Sequence, residues 1–228
     1  MNKDAFTGRA HAYVNALPGY ASYFIEYFRE LAPREAVIAD IGAGTGIFTA
    51  QLARDGYDNI YAVEPNADMR EQLAVTLRPF SSIKIINGTA EATTLADRSV
   101  DVITNAQALN RFDINKFRAE CARISIRDPY VITVYNDDEI TADYKGSERY
   151  KKSAGALYKK PAVRMFPNPV YFSRDKWLQY FLSMEGVPME GDAGYESFAA
   201  ELNERFDRNN TGGTLCLNLT TVVFSGYL

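Results

Sequence analysis

The sequence is poor in histidine and cysteine: across 228 residues it has one histidine, His11, and two cysteines, Cys121 and Cys216. A single imidazole excludes a His-rich zinc centre and leaves almost nothing for a His-based triad; a metal site is not expected. The two cysteines fall in a helical and a strand pattern and read as reduced, buried thiols rather than a disulfide framework. No apolar run reaches the ~18 residues that a membrane-spanning helix needs. Residues 1–10 carry charge and no apolar core, so no signal peptide is expected and the expected compartment is the cytoplasm. Basic charge is not in excess either: 25 Lys+Arg stand against 29 Asp+Glu, a formal charge of −4. That balance argues against a general nucleic-acid binder. No internal repeat occurs, which excludes a solenoid.

What the chain does have is 46% hydrophobic residues, enough for a sizeable core, and a length that suits one domain with an elaboration. Residues 36–41 read as a short buried strand, and 60–63, 83–86, 100–104 and 130–135 as further strands. Between them residues 47–54, 67–77 and a stretch capped by Asp113 show helical spacing, with Gly56 ending the first helix and Pro79 the second. Strands alternating with helices on short loops mean an α/β fold with a mostly parallel, doubly wound sheet. Residues 137–172 are polar and Lys/Tyr-rich, then Pro-interrupted at Phe166-Pro167-Asn168-Pro169, and read as an insertion over the sheet's rim. Ser173 caps a helix carrying Trp177 and Phe181, and a further helix carries Leu202 and Phe206. The alternating run 214–228 reads as a long final strand, antiparallel to its neighbours.

Between the first strand and first helix stands Asp40-Ile41-Gly42-Ala43-Gly44-Thr45-Gly46. Its glycines allow a tight turn and a close approach of ligand to main chain, at the carboxyl edge where open α/β sheets bind ligands. A GxGxG string alone is a weak signal. Two features sharpen it. The dinucleotide fingerprint requires glycine where Ile47 stands, and Asp40 would repel a pyrophosphate while suiting a positive amino group. A second acid, Glu64, ends the second strand 18 residues after Gly46, where a carboxylate grips ribose hydroxyls. An acid for an ammonium, a glycine loop and an acid for a ribose together describe S-adenosylmethionine, with S-adenosylhomocysteine as the product form. Taken singly, Asp40 also reads as a turn acid and Glu64 as a solvated strand end.

Residues 36–136 resemble the core of class I S-adenosylmethionine-dependent methyltransferases. Within that class they are similar to the bacterial small-molecule group around the ubiquinone/menaquinone-biosynthesis and trans-aconitate enzymes. The motifs carrying the likeness are Val37 to Gly46, Tyr61-Ala62-Val63-Glu64-Pro65-Asn66-Ala67-Asp68-Met69, Gly88-Thr89-Ala90-Glu91, and the run from Val100 to Asp113. Phe6-Thr7-Gly8-Arg9-Ala10, Tyr13, Pro18-Gly19-Tyr20 and the tail Thr221 to Leu228 resemble the same group. The resemblance implies a Rossmann-like, seven-stranded sheet with an antiparallel final strand. It implies one domain over 1–228: an N-terminal cap (1–33), a cofactor-binding core (34–136), a lid-like insertion (137–172), and C-terminal helices with the final strand (173–228). It also implies roles. Asp40, Gly42, Ala43, Gly44 and Gly46 would hold the methionine end of the cofactor; Glu64 the ribose; Met69 the adenine face. Thr89 and Ala90 would meet the adenine edge, and Asn105, Ala106 and Gln107 would line the place where donor meets acceptor. The chain departs from the group at Thr89, where Asp is common, at Asn110-Arg111, where His-Trp is common, and at Leu17, where Arg is common.

A sulfonium methyl is already electrophilic, so alignment and exclusion of water suffice and no dedicated base is required; no catalytic residue is assigned. Tyr13, Tyr20 and Asn110 are candidates for lining the acceptor site, and His11 reads as a partly exposed helix residue rather than a base. Asn105-Ala106-Gln107-Ala108 is not the Asn/Asp-Pro-Pro-aromatic loop of amino methylation on nucleic-acid bases, and Cys121 lies a helix away from where a cytosine-methylating nucleophile belongs. Lys145, Arg149, Lys151, Lys152, Lys159, Lys160 and Arg164 stand against one acid, Glu148, with Tyr144, Tyr150 and Tyr158 between them. The commoner reading is a solvated helix face; the functional one is a grip on an anionic acceptor or on RNA. The expected activity is methyl transfer to a small molecule. The rivals are a methyltransferase-fold binding protein without turnover and a nicotinamide-dependent oxidoreductase.

Overall fold

Residues 38–41 are buried at all four positions, as an apolar strand covered on both faces must be. The computed structural model describes residues 17–137, 147–184 and 186–228. In it seven strands form one sheet: β1 (Ile38–Ile41), β2 (Ile60–Val63), β3 (Lys84–Ile86), β4 (Val102–Ala106), β5 (Tyr130–Asp137), β6 (Ala162–Phe172) and β7 (Leu215–Tyr227). Their spatial order is β3-β2-β1-β4-β5-β7-β6. The first five are parallel, and β7 runs antiparallel to both β5 and β6. The helices are α1 (Ser22–Leu31), α2 (Ile47–Arg54), α3 (Ala67–Leu77), α4 (Ile114–Ile124), α5 (Ser147–Leu157), α6 (Arg174–Leu182) and α7 (Tyr195–Asn209).

Three of the helices, α3, α4 and α6, begin at a side chain that meets an orphan N–H group. Asn66 Oδ1 accepts from Met69 N at 2.9 Å, Asp113 Oδ1 from Lys116 N at 3.2 Å, and Ser173 Oγ from Lys176 N at 3.5 Å, as N-caps do. Gly56, just past α2, sits at φ +93°, the left-handed C′ position glycine tolerates. One face of the sheet (Ala39, Ile41, Ile103, Val131, Tyr135) packs under α4 and α5, and the other (Ile38, Val102, Ile132, Val134) under α1 and α2. A third apolar cluster joins α6 and α7 to the outer ends of β6 and β7 through Trp177, Phe181, Leu202, Phe206, Leu215 and Leu217.

Two expectations change. The stretch 137–172 is not only an insertion: its last 11 residues are β6, the edge strand and the seventh in the sheet. Pro167 and Pro169 hid it, yet an edge strand accepts proline because a free edge has no ladder bond to lose. The thiols also divide, Cys121 buried and Cys216 exposed, because Cys216 alternates with the inward Leu215 and Leu217 on β7. Among the described residues no helix is long and apolar enough to cross a membrane.

Candidate functional site

The loop from β1 to α2 is fastened at its base and open at its crown. Gly42 N and Ala43 N both donate to Val63 O, at 2.9 and 3.0 Å. All three glycines have positive φ: +74° at Gly42, +58° at Gly44 and +87° at Gly46. A Cβ on Gly42 would meet Ala108 Cβ at 2.8 Å, and one on Gly46 would meet Leu73 Cδ1 at 2.6 Å. Those two glycines therefore let the loop press against the β4–α4 connection and α3. At Gly44 nothing among the described residues lies within 4 Å of the Cβ position, so its side is open. Thr45 Oγ1 is buried and has no hydrogen-bond partner among the described residues.

Two carboxylates flank this loop. Glu64, at the end of β2, accepts from Gly44 N through Oε2 and from Asn66 N through Oε1, each at 2.9 Å. Burial raises its pKa above the ordinary value, against the pull of those two backbone bonds. Asp40, at the end of β1, is 1% exposed. Its Oδ2 accepts from Thr49 Oγ1 at 2.5 Å and its Oδ1 from Thr104 Oγ1 at 3.0 Å. Burial pushes it up to about 6, opposed by the two hydroxyls and reinforced by the charge of Glu64. The anionic character of the site is thus concentrated at the carboxyl ends of β1 and β2, under the glycine loop. Asp40 is enclosed by two threonine hydroxyls, one on each carboxylate oxygen.

Met69 is buried in the first turn of α3. Thr89 N and Ala92 N exchange bonds with each other's carbonyls at 3.0 and 3.2 Å, closing a tight loop over which Ala90 is buried. At the end of β4, Asn105 is fully buried; Nδ2 donates to Thr133 Oγ1 at 3.0 Å while Oδ1 has no partner among the described residues. Ala106 is half-buried. Gln107 takes the left-handed conformation, φ +58°, which is uncommon outside glycine and concentrates at functional sites. Its Nε2 donates to Asn136 O at 3.3 Å. Asn110 pairs twice with Tyr135: its N donates to the phenolic oxygen at 3.1 Å and its Oδ1 accepts from it at 3.2 Å.

The candidate cofactor residues, from Asp40 to Gln107, thus follow the carboxyl ends of β1, β2, β3 and β4. The acceptor candidates divide. Asn110 joins this edge; the Tyr20 ring packs edge-on to Phe48 at 5.3 Å in the core; Tyr13 and His11 lie outside the described residues. Of the basic span, Lys151, Lys152, Lys159, Lys160 and Arg164 are exposed, whereas Tyr150 and Tyr158 are buried. Lys145 and Tyr144 lie outside the described residues. Tyr150 and Tyr158 therefore serve the core, and the Lys151 ammonium stands over the Tyr150 ring at 6.0 Å from its centroid. Sequence reasoning missed Asn66 and Arg70, which steady Glu64, the latter donating from Nη1 to Glu64 O and Pro65 O at 3.0 and 2.6 Å. It also missed Tyr135, stacked at 4.3 Å on Tyr150; its place at the end of a central strand was the available signal.

Comparison with known proteins agrees with this geometry. Residues 39–133 match the family model described as a methyltransferase domain. Uncharacterized methyltransferases of Mycobacterium tuberculosis and Mycobacterium bovis are 33% identical over 120 residues, covering 53% of this chain and 47% of theirs. The chain thus spans about half the length of those curated relatives. A methyltransferase-like protein of Schizosaccharomyces pombe is 28% identical over 162 residues, 68% of this chain and 62% of its own. Among solved structures, a candidate type II methyltransferase from Anaeromyxobacter dehalogenans superposes with a TM-score of 0.68 at 22% identity, covering 92% of this chain and 97% of that one. The YcgJ protein of Bacillus subtilis gives 0.58 at 19%, covering 91% and 98%. Both share the fold.

Proposed function

Because the core of this chain, residues 39–133, belongs to the methyltransferase-domain family, we propose that the protein moves a methyl group from S-adenosylmethionine to a small-molecule acceptor. One observation carries the reading above the others: Gly44, with φ +58° and open space where a Cβ would stand, beside a Glu64 carboxylate that already holds its N–H. A cradle of that shape suits a ligand lying against main chain, with a carboxylate at ribose height. The partnerless Thr45 hydroxyl adds a polar atom for a bound group. The strand order, with β7 antiparallel between β5 and β6, also departs from the order typical of dinucleotide-binding sheets.

When bound, S-adenosylmethionine supplies a methyl carbon already activated by its sulfonium. The chain then has only to bind, orient and exclude water. In this reading Asp40 gives the field that favours the ligand's ammonium. Gly42, Ala43, Gly44 and Gly46 bring main chain against the methionine end, and Glu64 accepts from the ribose hydroxyls. Met69, Thr89 and Ala90 enclose the adenine, and Asn105, Ala106 and Gln107 border the transfer point. The narrower likeness to quinone- and trans-aconitate-modifying enzymes rests on the sequence motifs.

Calorimetric titration with S-adenosylhomocysteine beside NADH tests the reading. The expected result is binding of the former alone, with a higher melting temperature; ligand at about 100 times Kd adds roughly 2.7 kcal/mol. Binding of NADH, or of neither, overturns it. A second reading, a methyltransferase-fold binding protein without turnover, draws on Asn110 being engaged by Tyr135 where the resembling group carries histidine; methyl transfer to any acceptor removes it.

A further inference from the structure

β3 ends at Ile86, whose carbonyl accepts from Glu64 N at 3.0 Å. The chain that follows therefore leaves the sheet beside the acid assigned to the ribose. It forms a loop with a narrow neck. A Cβ on Gly88 would meet Thr93 O at 2.4 Å, so only glycine lets the two arms lie this close. Beyond the neck the paired bonds of Thr89 and Ala92 close the turn, with Ala90 at its tip. Ala90 is 1% exposed, and its N–H has no hydrogen-bond partner among the described residues. A buried main-chain N–H is almost always paired, which leaves this one for an acceptor atom on a ligand.

The neck is held from outside the loop, by α4. Thr93 is fully buried, and its N and Oγ1 both donate to Glu120 Oε1, at 2.7 and 2.6 Å. Glu120 is buried too and is gripped by Arg123, whose Nε donates to Oε2 at 2.9 Å and Nη2 to Oε1 at 2.7 Å. Arg123 Nη1 goes on to Leu95 O at 2.8 Å and to Asp97 Oδ1 at 2.6 Å. Burial opposes the charge on Glu120, but the bonds from Arg123 and Thr93 outweigh it and hold its pKa below the ordinary value. At the tip, Glu91 Oε1 accepts at 3.0 Å from Asp113 N, at the start of the same helix. One helix thus holds both the tip and the neck.

Thr94 lies between the pinned residues Thr93 and Leu95 and has φ +66°. A β-branched residue is strained there. Such strain persists only where the surroundings over-determine it, and it collects at binding sites. A connection that had only to join β3 to β4 would relax.

We propose that Glu120 is a positioning residue for the cofactor's base: by fixing Thr93 it sets where the Ala90 N–H lies, and with it the choice of adenine over other purines. This rests on the methyltransferase reading. Adenine has an unprotonated ring nitrogen beside its amino group, and that nitrogen accepts from a main-chain N–H. Hypoxanthine carries a hydrogen on the same nitrogen, so two donors would face each other and both would go unpaired. Thr89 stands where the resembling group commonly has Asp, which leaves the adenine amino group a weaker partner. Discrimination in this chain therefore falls on the Ala90 N–H, and on the residue that holds it in place.

The test is calorimetric titration of the full chain with S-adenosylhomocysteine and with S-inosylhomocysteine, its hypoxanthine counterpart. The wild type should prefer the adenine ligand by about tenfold or more, as one mispaired buried donor predicts. Glu120→Ala should lose most of that preference, chiefly through weaker binding of the adenine ligand. Glu120→Gln keeps an oxygen for Thr93 and should retain most of it. Leu202→Ala, in the apolar cluster of α6 and α7, should lower the melting temperature and leave the preference unchanged. Where Glu120→Ala does not fold, Thr93→Val removes one of the two bonds to Glu120 and should still reduce the preference. A wild type without base preference overturns the proposal. So does a wild-type preference in Glu120→Ala, or in Thr93→Val where that variant stands in, since Glu120 would then only brace the fold. An equal loss in Leu202→Ala also overturns it, because preference would then follow stability. A wild type that binds neither ligand removes the methyltransferase reading itself, and the proposal with it.

Discussion

Glu64 Oε2 accepts a hydrogen bond from Gly44 N at 2.9 Å, so the acid assigned to the ribose also fixes the crown of the glycine loop. Replacing it by glutamine keeps the volume and removes the charge. A charge-assisted bond contributes about 1.5–3 kcal/mol, so Glu64→Gln should weaken S-adenosylhomocysteine between roughly tenfold and a hundredfold in calorimetry. An unchanged affinity would show that Glu64 serves the loop alone.

Asp40 gives the site a pH dependence. Its pKa is pushed up to about 6, chiefly by burial, against about 3.9 in an unfolded chain. The folded protein therefore holds a proton the unfolded chain has lost between about pH 4 and 6, and this group's contribution to stability falls as pH rises through that window. Asp40→Asn should flatten that part of the melting-temperature profile and be relatively more stable above pH 6. Ligand binding runs the other way. Protonation removes the field that favours an ammonium, so S-adenosylhomocysteine should weaken as pH falls below about 6 in the wild type, and not in Asp40→Asn. Parallel profiles for the two proteins would exclude Asp40 as the titrating group.

The glycines separate fold from site. Gly46→Ala would drive a Cβ to 2.6 Å from Leu73 Cδ1 at φ +87°, so it should lower the melting temperature markedly. Gly44→Ala meets nothing within 4 Å and bears only the left-handed backbone penalty, about 1–2 kcal/mol. Its methyl would occupy the cradle, however, so ligand affinity should fall further than stability does. Equal behaviour of the two variants in melting and titration would contradict this division.

Much of this was legible in the sequence, and the boundary is physical. β1, β2, β4 and β5 could be placed because strands buried on both faces read as apolar runs, β3 only as a short apolar run at a partly exposed edge, and the acids at 40 and 64 because they end such runs. β6 was not legible: an edge strand with Pro167 and Pro169 has neither apolar continuity nor regular alternation. Asp40 was legible as an acid but not as one enclosed by Thr49 and Thr104, since those partners lie 9 and 64 residues away. The role of Gln107 depends on a positive φ that glutamine does not announce.

The thiols offer a direct check on the open face of β7. Cys121 is buried in α4, where burial raises its pKa and suppresses the thiolate, whereas Cys216 is exposed beside Asn218. Reactivity follows thiolate availability and access, so native protein should show one fast-reacting thiol, lost in Cys216→Ser. Two fast thiols would mean that α4 opens readily.

The segment leading into α1 is fastened by side chains from three strands and a helix. Asn136 Nδ2 and Asn168 Nδ2 both donate to Gly19 O, at 3.0 and 2.9 Å. Ala21 N donates to Thr221 Oγ1 at 3.0 Å, and Thr221 in turn to Asn136 Oδ1 at 2.7 Å. Gln51 brackets Tyr20, accepting from its N at 2.8 Å and donating to its O at 2.9 Å. Asn136 is the node, since it also presents its carbonyl to Gln107. Asn136→Ala strips partners from buried groups at about 1–3 kcal/mol each, so it should lower the melting temperature by several degrees. Gln107 bonds the main-chain carbonyl of Asn136, which alanine keeps, so the same variant should lose stability while S-adenosylhomocysteine affinity falls little. Asn168→Ala leaves Gly19 O its bond from Asn136, so it should cost less in both measurements. If the two variants lose equal stability, the network has no node at Asn136.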